Sequence, residues 1–533
     1  MKSSRALLCA AVLLVFSPVQ RLFAQGQQSP SDVPTFRVTS SLVFLDVTVL
    51  DKHGHPVVSG LTKDDFTITE DKKPQQIFSF EAPESHVMGA KAGDDNPEGK
   101  APVTIFVLDL LNSSFPDFAY IRYEVKRFLM AQPAQLNSPA ELMVIGNNSL
   151  EMLQGYTRSR ADLLYALNHL PAALPIEEMD PMFVWDRFSQ SIDALQQIAL
   201  QNSGVPGRKN IVWVGHGGPG IFLDAPDLTP EFVDELKQYV HSTTNMLVDA
   251  RISLFVIYPG LHIEARSSGM SEMDSDIDIG DDDPFSGEIN FGVLSNETGG
   301  KLFYNRNDVD MEMMRSERMG SEYYTLTYQP QFVNPDGKFR RIRVSLRNPN
   351  LRAVTKAGYF APDQNHPVDP RQKTMMALSE AAQSDIPFTA LPVSISSVVR
   401  YPDTRTANIM VNLQEKNLEW FATGDGKFSA SLLMAAASLN GDKRILASRL
   451  ERVTVSTAVQ DPAKRALASM KLPVTLRIPR KTKTVRVVME TEEGGRIGAA
   501  DLDRKSIDAA PAASTPEPQL VKHRPDYVSP AAQ

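Results

Sequence analysis

The sequence predicts a chain of mixed class: a doubly wound, mostly parallel α/β sheet flanked by Ig-like β-sandwich modules. Three observations predict it. Between Val103 and Arg318, short continuous apolar runs alternate with amphipathic stretches at helical spacing, as in a sheet covered by helices on both faces. On either side the period changes to two, with β-branched residues and Asx or Gly turns between runs. The length of 533 residues exceeds what one hydrophobic core holds and argues for about two to four domains.

The elements follow in chain order. Lys2 and Arg5 precede an apolar run from Ala6 to Phe16, and Leu22-Phe23-Ala24 ends in a small residue. That pattern predicts a signal peptide over 1–24, the alternative being an uncleaved anchor favoured by Arg21. The apolar run falls short of the roughly 20 residues of a membrane span. A β-module is expected over 36–83, with Leu42 to Val49, Phe66 to Glu70 and Ile77 to Phe80 as strands. A linker follows from Pro83 to Lys100. The α/β domain is expected over 101–319. Its buried strands are Val103 to Leu108, Leu142 to Ile145, Asn210 to Val214, Ile252 to Ile257 and Lys301 to Tyr304. Helices are expected around Tyr120 to Leu129, and over Arg160 to Leu170, Trp185 to Leu200, Pro230 to Asp249, Phe291 to Glu297 and Val309 to Arg318. The β period returns over 320–361. Neither this segment nor 36–83 buries a core alone, so the two are expected to pair around the inserted α/β domain. A helical linker around Lys373 to Ala382 leads to a second Ig-like module over 385–503, and 507–533 reads as a disordered tail.

Composition excludes several function classes. A net charge of −9 with no basic patch removes nucleic acid as a partner. Cys9, inside the apolar leader, is the single cysteine. The mature chain is therefore expected to have no disulfide, thiol nucleophile or cysteine metal site, to lack a membrane span, and to be secreted or periplasmic.

The order of elements resembles a von Willebrand factor A (VWA) domain, and particular phrases resemble a bacterial exported family described as VWA-related. The phrases are Phe66-Thr67-Ile68-Thr69-Glu70-Asp71, Phe106-Val107-Leu108-Asp109, Glu297-Thr298-Gly299-Gly300, Tyr323 to Pro330, and Ala357-Gly358-Tyr359. The resemblance spans about residues 36 to 362. It implies an adhesive or scaffolding domain that binds proteins, often through a divalent cation at the carboxyl end of the sheet.

In that pattern the first strand ends Asp-x-Ser-x-Ser, giving hard oxygen ligands to Mg²⁺ or Ca²⁺. The match is Asp109-Leu110-Leu111-Asn112-Ser113. Asp109 and Ser113 fit the metal roles, while Leu111 stands where a ligating serine is expected. Gly215-His216-Gly217 replaces the second carboxylate, and Pro171 to Pro181 offers no clear Gly-Thr loop. The expected site is thus a degenerate metal-ion-dependent adhesion site. Its ligand-binding residues are Asp109, Asn112, Ser113, Ser114 and His216, with Asn112, Ser114 or His216 as compensating ligands.

Gly215 to Gly220 fits the spacing of a dinucleotide fingerprint, but Pro219 intervenes and the next helix begins near Pro230, whereas the fingerprint needs a helix to open at once. The acidic run Asp274 to Asp283 resembles a calcium loop but carries Ile279 and Phe285 where Gly and Glu are needed. The function these readings support is an exported cell-envelope binding, adhesion or scaffolding protein, not an enzyme, that recognises a protein or surface ligand at the carboxyl-end loops. The rivals are an envelope hydrolase using Asp109, Ser113 and His216, and a purely structural spacer.

Overall fold

The computed structural model describes residues 42–528 except 87–100, 147–148, 171–182, 261–282, 332–333, 365–369, 415–417, 424–425, 462–463, 465–468 and 514–525. The expected leader, most of the first linker, the Pro171 to Pro181 loop, most of the acidic run and part of the tail lie outside the described residues. The chain is mixed α/β, with one parallel-containing sheet and several antiparallel ones.

The first strands are β1 (Val43–Leu50), β2 (Phe66–Glu70), β3 (Lys73–Gln75) and β4 (Ile77–Glu81). The α/β region then runs β5 (Val103–Asp109), α1 (Phe115–Ala131), β6 (Gln135–Gly146), β7 (Ser149–Ser159), α2 (Arg160–Asn168), α3 (Val184–Gln201), β8 (Lys209–Val214) and β9 (Ile221–Phe222). It continues through α4 (Pro230–Asp249), β10 (Ile252–Pro259), β11 (Glu288–Ile289), α5 (Phe291–Glu297), β12 (Lys301–Arg306) and α6 (Val309–Ser321). Its sheet has the order β12-β10-β8-β5-β6-β7. All neighbouring pairs are parallel except β6 with β7.

Alternation explains why the central strands are apolar throughout. Ile105, Val107, Ile211, Trp213, Leu254 and Val256 face one cluster, with α3, α4 and α5. Phe106, Leu108, Val212, Val214, Phe255 and Ile257 face the other, with α1, α2 and α6. A strand covered on both sides has no place for a polar face.

The flanking segments meet. After α6 come β13 (Tyr324–Tyr328), β14 (Phe339–Leu346), β15 (Arg352–Val354) and β16 (Gly358–Phe360). They form two four-stranded sheets with the first strands, β15-β1-β13-β4 and β16-β14-β2-β3. β13 lies between β1 and β4, and β14 pairs with β2. Leu45, Val47, Val49, Phe66, Ile68, Tyr324, Leu326, Tyr328 and Ile342 share one core.

The helix α7 (Pro370–Gln383) leads to β17 (Val393–Tyr401), β18 (Thr406–Gln414), β19 (Phe421–Ala422), β20 (Phe428–Leu439), β21 (Ile445–Thr457), β22 (Ser469–Arg477), β23 (Thr484–Thr491) and β24 (Ile497–Asp503). Two antiparallel sheets again enclose one apolar cluster. The order extends past the expected start of the tail. The helix α8 (Arg504–Ala509) buries Ile507 in this cluster, and Arg400 exchanges backbone hydrogen bonds with Pro511 and Ala513. Residues 507–513 therefore belong to the module, because an apolar side chain and a paired backbone hold them there. A last strand, β25 (Asp526–Val528), pairs with β22. Among the described residues no helix is long and apolar enough to cross a membrane.

Candidate functional site

Asp109 ends β5 and is fully buried. The chain turns over its own carboxylate: Asn112 N donates to Oδ1 at 2.8 Å, and Asn112 Nδ2 reaches Oδ1 and Oδ2 at 3.1 and 3.2 Å. Two further donors come from β8 and the loop after it. Trp213 Nε1 lies 3.0 Å from Oδ2 and Gly217 N lies 2.8 Å from it. Burial pushes the Asp109 pKa up, against the pull of Trp213, Asn112 and His216. All these hydrogen-bond donors are N–H groups, which match the ionised carboxylate.

The close fit needs Gly215. Its φ is +145°, and a Cβ there would sit 2.3 Å from the Asp109 Cβ and 3.2 Å from Ser113 Oγ. Glycine alone adopts that backbone without strain and leaves the two loops in contact.

The other candidates divide into separate settings. Leu111 is buried in the core, in line with its side chain. Asn112 also donates to Ser191 Oγ of α3 at 3.1 Å, so a third element is tied to the loop. Ser113 Oγ is buried and has no hydrogen-bond partner. Ser114 is the N-cap of α1: it accepts from Asp117 N at 3.3 Å and donates to Asp117 Oδ2 at 2.6 Å. That satisfies an otherwise open helix terminus. His216 stands 4.0 Å from Asp117 Oδ2 and stacks on Tyr258 with centroids 4.1 Å apart. Tyr258 in turn meets Tyr304 at 5.0 Å. Because β8, β10 and β12 are neighbours, these three rings form a row across the carboxyl end of the sheet.

The structure thus joins Asp109 and Asn112, gives Ser114 to a helix cap and sets His216 among aromatic rings. Sequence reasoning missed Ser191, Trp213 and the Gly217 amide. Trp213 offered a signal, since a buried indole N–H needs an acceptor.

A cation at this place would need free oxygens on Asp109. Both oxygens instead receive N–H donors, Leu111 cannot ligate, and Ser113 Oγ is not bonded to the carboxylate. The residues present do not fit Mg²⁺ or Ca²⁺. Among the described residues no group of three or more His, Cys, Asp or Glu side chains is placed to hold a metal. A hydrolytic trio fits no better, because a serine nucleophile needs a hydrogen bond to its base and Ser113 Oγ makes none.

After β8 the glycine-rich loop runs into β9, and the next helix begins at Pro230. No helix N-terminus meets the loop, so the nucleotide reading has no support in its geometry.

No protein-family model matches the chain, and no curated protein matches it. Among solved structures, the crystal structure of the SpRpn10 VWA domain is similar at 18% identity over 30% of this chain and 76% of that one, with a TM-score of 0.18. The description of the α/β region therefore rests on its own strand order and helix placement.

Proposed function

We propose that the chain is an exported cell-envelope binding or scaffolding protein that recognises a protein or surface ligand at the carboxyl-end loops of a VWA-like, doubly wound domain. In this reading the α/β domain spans 101–319. It is inserted into an Ig-like sandwich made of 36–83 and 320–361, and a second Ig-like module follows from 385. Residues 1–24 direct export and the mature chain acts in the periplasm or outside the cell. The adhesion site is degenerate, and Asp109 holds the rim in shape instead of holding a metal.

One observation carries this reading. Phe115, Phe183 and Phe222 are 63%, 45% and 46% exposed. Each belongs to an element tied to the carboxyl end: Phe115 opens α1 beside Ser114, Phe183 precedes α3, whose Ser191 meets Asn112, and Phe222 closes the glycine-rich loop. Exposed aromatic rings above a rigid scaffold are the usual anchors of a protein interface.

The test is in-cell cross-linking of the wild type beside a variant carrying Phe115→Ser, Phe183→Ser and Phe222→Ser. The expected result is a discrete set of cross-linked envelope components lost from the rim variant but kept by Phe421→Ser, an exposed phenylalanine of the C-terminal module. An identical cross-linking profile in all three chains would overturn the proposal.

A further inference from the structure

The second strand of the long hairpin in the C-terminal module has one open edge. β21 contains 13 residues, beyond the usual 3–10, and spans about 43 Å at roughly 3.3 Å per residue. One edge pairs with β20 along nearly its whole length. Among the described residues no strand pairs with the other edge. The far side of the same sheet is closed: Leu391 N donates to Ile497 O and Ala499 N to Phe388 O, covering β24. A long bare edge is a template for another strand.

We propose that the chain forms a twofold homodimer by antiparallel pairing of β21 with the β21 of a second copy, centred on Leu450. The charge order of the strand selects this occupant and this register. About a twofold axis at Leu450, Arg449 faces Glu451 of the second copy and Glu451 faces Arg449. Ala447 then faces Val453, and beyond Ala447 the strand departs from the regular register at Leu446. Arg449 and Glu451 are already an ion pair within the strand. The dimer closes them into a ring of four alternating charges on one face.

Neighbouring registers lose this match. An axis at Glu451 sets the two glutamates against each other, and an axis at Arg449 sets the two arginines against each other. Like charges directly opposite are unfavourable. On the other face Leu450 is half-buried against the large apolar cluster, and the dimer brings two such leucines together. Arg452 is held within its own sheet by Glu492 at 2.6 Å. The charges along this edge are of both signs, in self-complementary order about Leu450.

Sedimentation velocity on the full chain tests the pairing. The wild type is expected to sediment as a dimer. Arg449→Glu and Glu451→Arg, each alone, should weaken it by roughly tenfold or more, since each puts like charges in reciprocal positions. The double exchange, Arg449→Glu with Glu451→Arg, should restore it.

A cysteine arm tests the register without relying on those variants. Cys9 is the only cysteine, so Cys9→Ser with Leu450→Cys leaves one thiol at the axis. Directly opposed residues have Cα atoms about 4.5–5.5 Å apart, which suits a disulfide. Mild oxidation should yield a covalent dimer from Leu450→Cys and none from Ser448→Cys, whose counterpart lies four residues away. A monomer at the highest attainable concentration, a dimer indifferent to both single reversals, or equal cross-linking at 448 and 450 would overturn the proposal.

Discussion

Asp109 shows how one side chain is read differently by pattern and by surroundings. Its position at the end of a buried strand is that of a metal ligand in the pattern, yet four nitrogens, from Asn112, Trp213 and Gly217, donate to its two oxygens. Asp109→Ala therefore strands the Trp213 indole and the Gly217 amide, at a cost of about 3 kcal/mol. Urea unfolding followed by tryptophan fluorescence should show that loss equally with and without Mg²⁺ or Ca²⁺. Protection of the wild type alone by either ion would contradict the structural role. Glu141 is a second buried carboxylate, with Gln201 Nε2 at 3.1 Å, and burial pushes its pKa up to about 8. The native state therefore keeps a proton that the unfolded chain gives up near 4.5. This group's contribution is fully present below that pH. It falls by about 1.4 kcal/mol per pH unit as the pH rises, and levels off above about 8. Glu141→Gln keeps the shape and removes the titration. Unfolding curves at pH 5 and pH 8.5 should show the variant gaining over wild type at the higher pH, and no change in the difference would refute it.

At the scale of elements, the loops at the two ends of the sheet are fixed by different means. At the carboxyl end Gly215 allows β5 and β8 to release their loops in contact. Gly215→Ala should lower stability by about 2 kcal/mol or more, and its chymotrypsin sensitivity should rise within 110–120 first, where Leu110, Leu111, Phe118 and Tyr120 offer sites. At the amino end Arg208, 1% exposed, donates to Thr48 Oγ1 of β1 at 2.9 Å, Ser253 Oγ of β10 at 3.1 Å and Gly299 O at 3.3 Å. It thereby ties the flanking β-module to the α/β sheet. Arg208→Met leaves those acceptors buried and unmet, and a loss of about 3 kcal/mol is expected by thermal or chemical unfolding. The buried parallel strands were legible because their apolar runs have no alternative reading of that length. β7 and β21 were not. Both are edge strands with mixed polar and apolar residues, whose pairing is decided by the hairpin partner rather than by their own pattern.

For the whole molecule, the consequence of the fold is interdependence. β13 sits between β1 and β4, so the strands before and after the α/β region complete each other's sheets. Asp46 of β1 pairs with Arg251 before β10, with Arg251 Nε at 3.0 Å, and Thr48 Oγ1 donates to Met319 O at 2.7 Å. A chain lacking residues 42–86 should therefore expose 320–361 as well. Limited proteolysis is expected to cut within 320–361 while the module that begins near Ile386 resists. Equal protection of 320–361 in the shortened and full chains would show that the two segments stand alone.

What the sequence determined by itself was the alternation of buried strands and covering helices, since hydrophobic period is a local property that each segment carries. It also marked Asp109, Ser113 and His216 as neighbours of one sheet end. The tertiary structure decided what those residues do. Whether a carboxylate holds a cation or is filled by N–H donors depends on which groups arrive from β8 and α3, tens of residues away in the chain. The same holds for the edge of β21 that no strand reaches among the described residues, because pairing is set by segments distant in the chain.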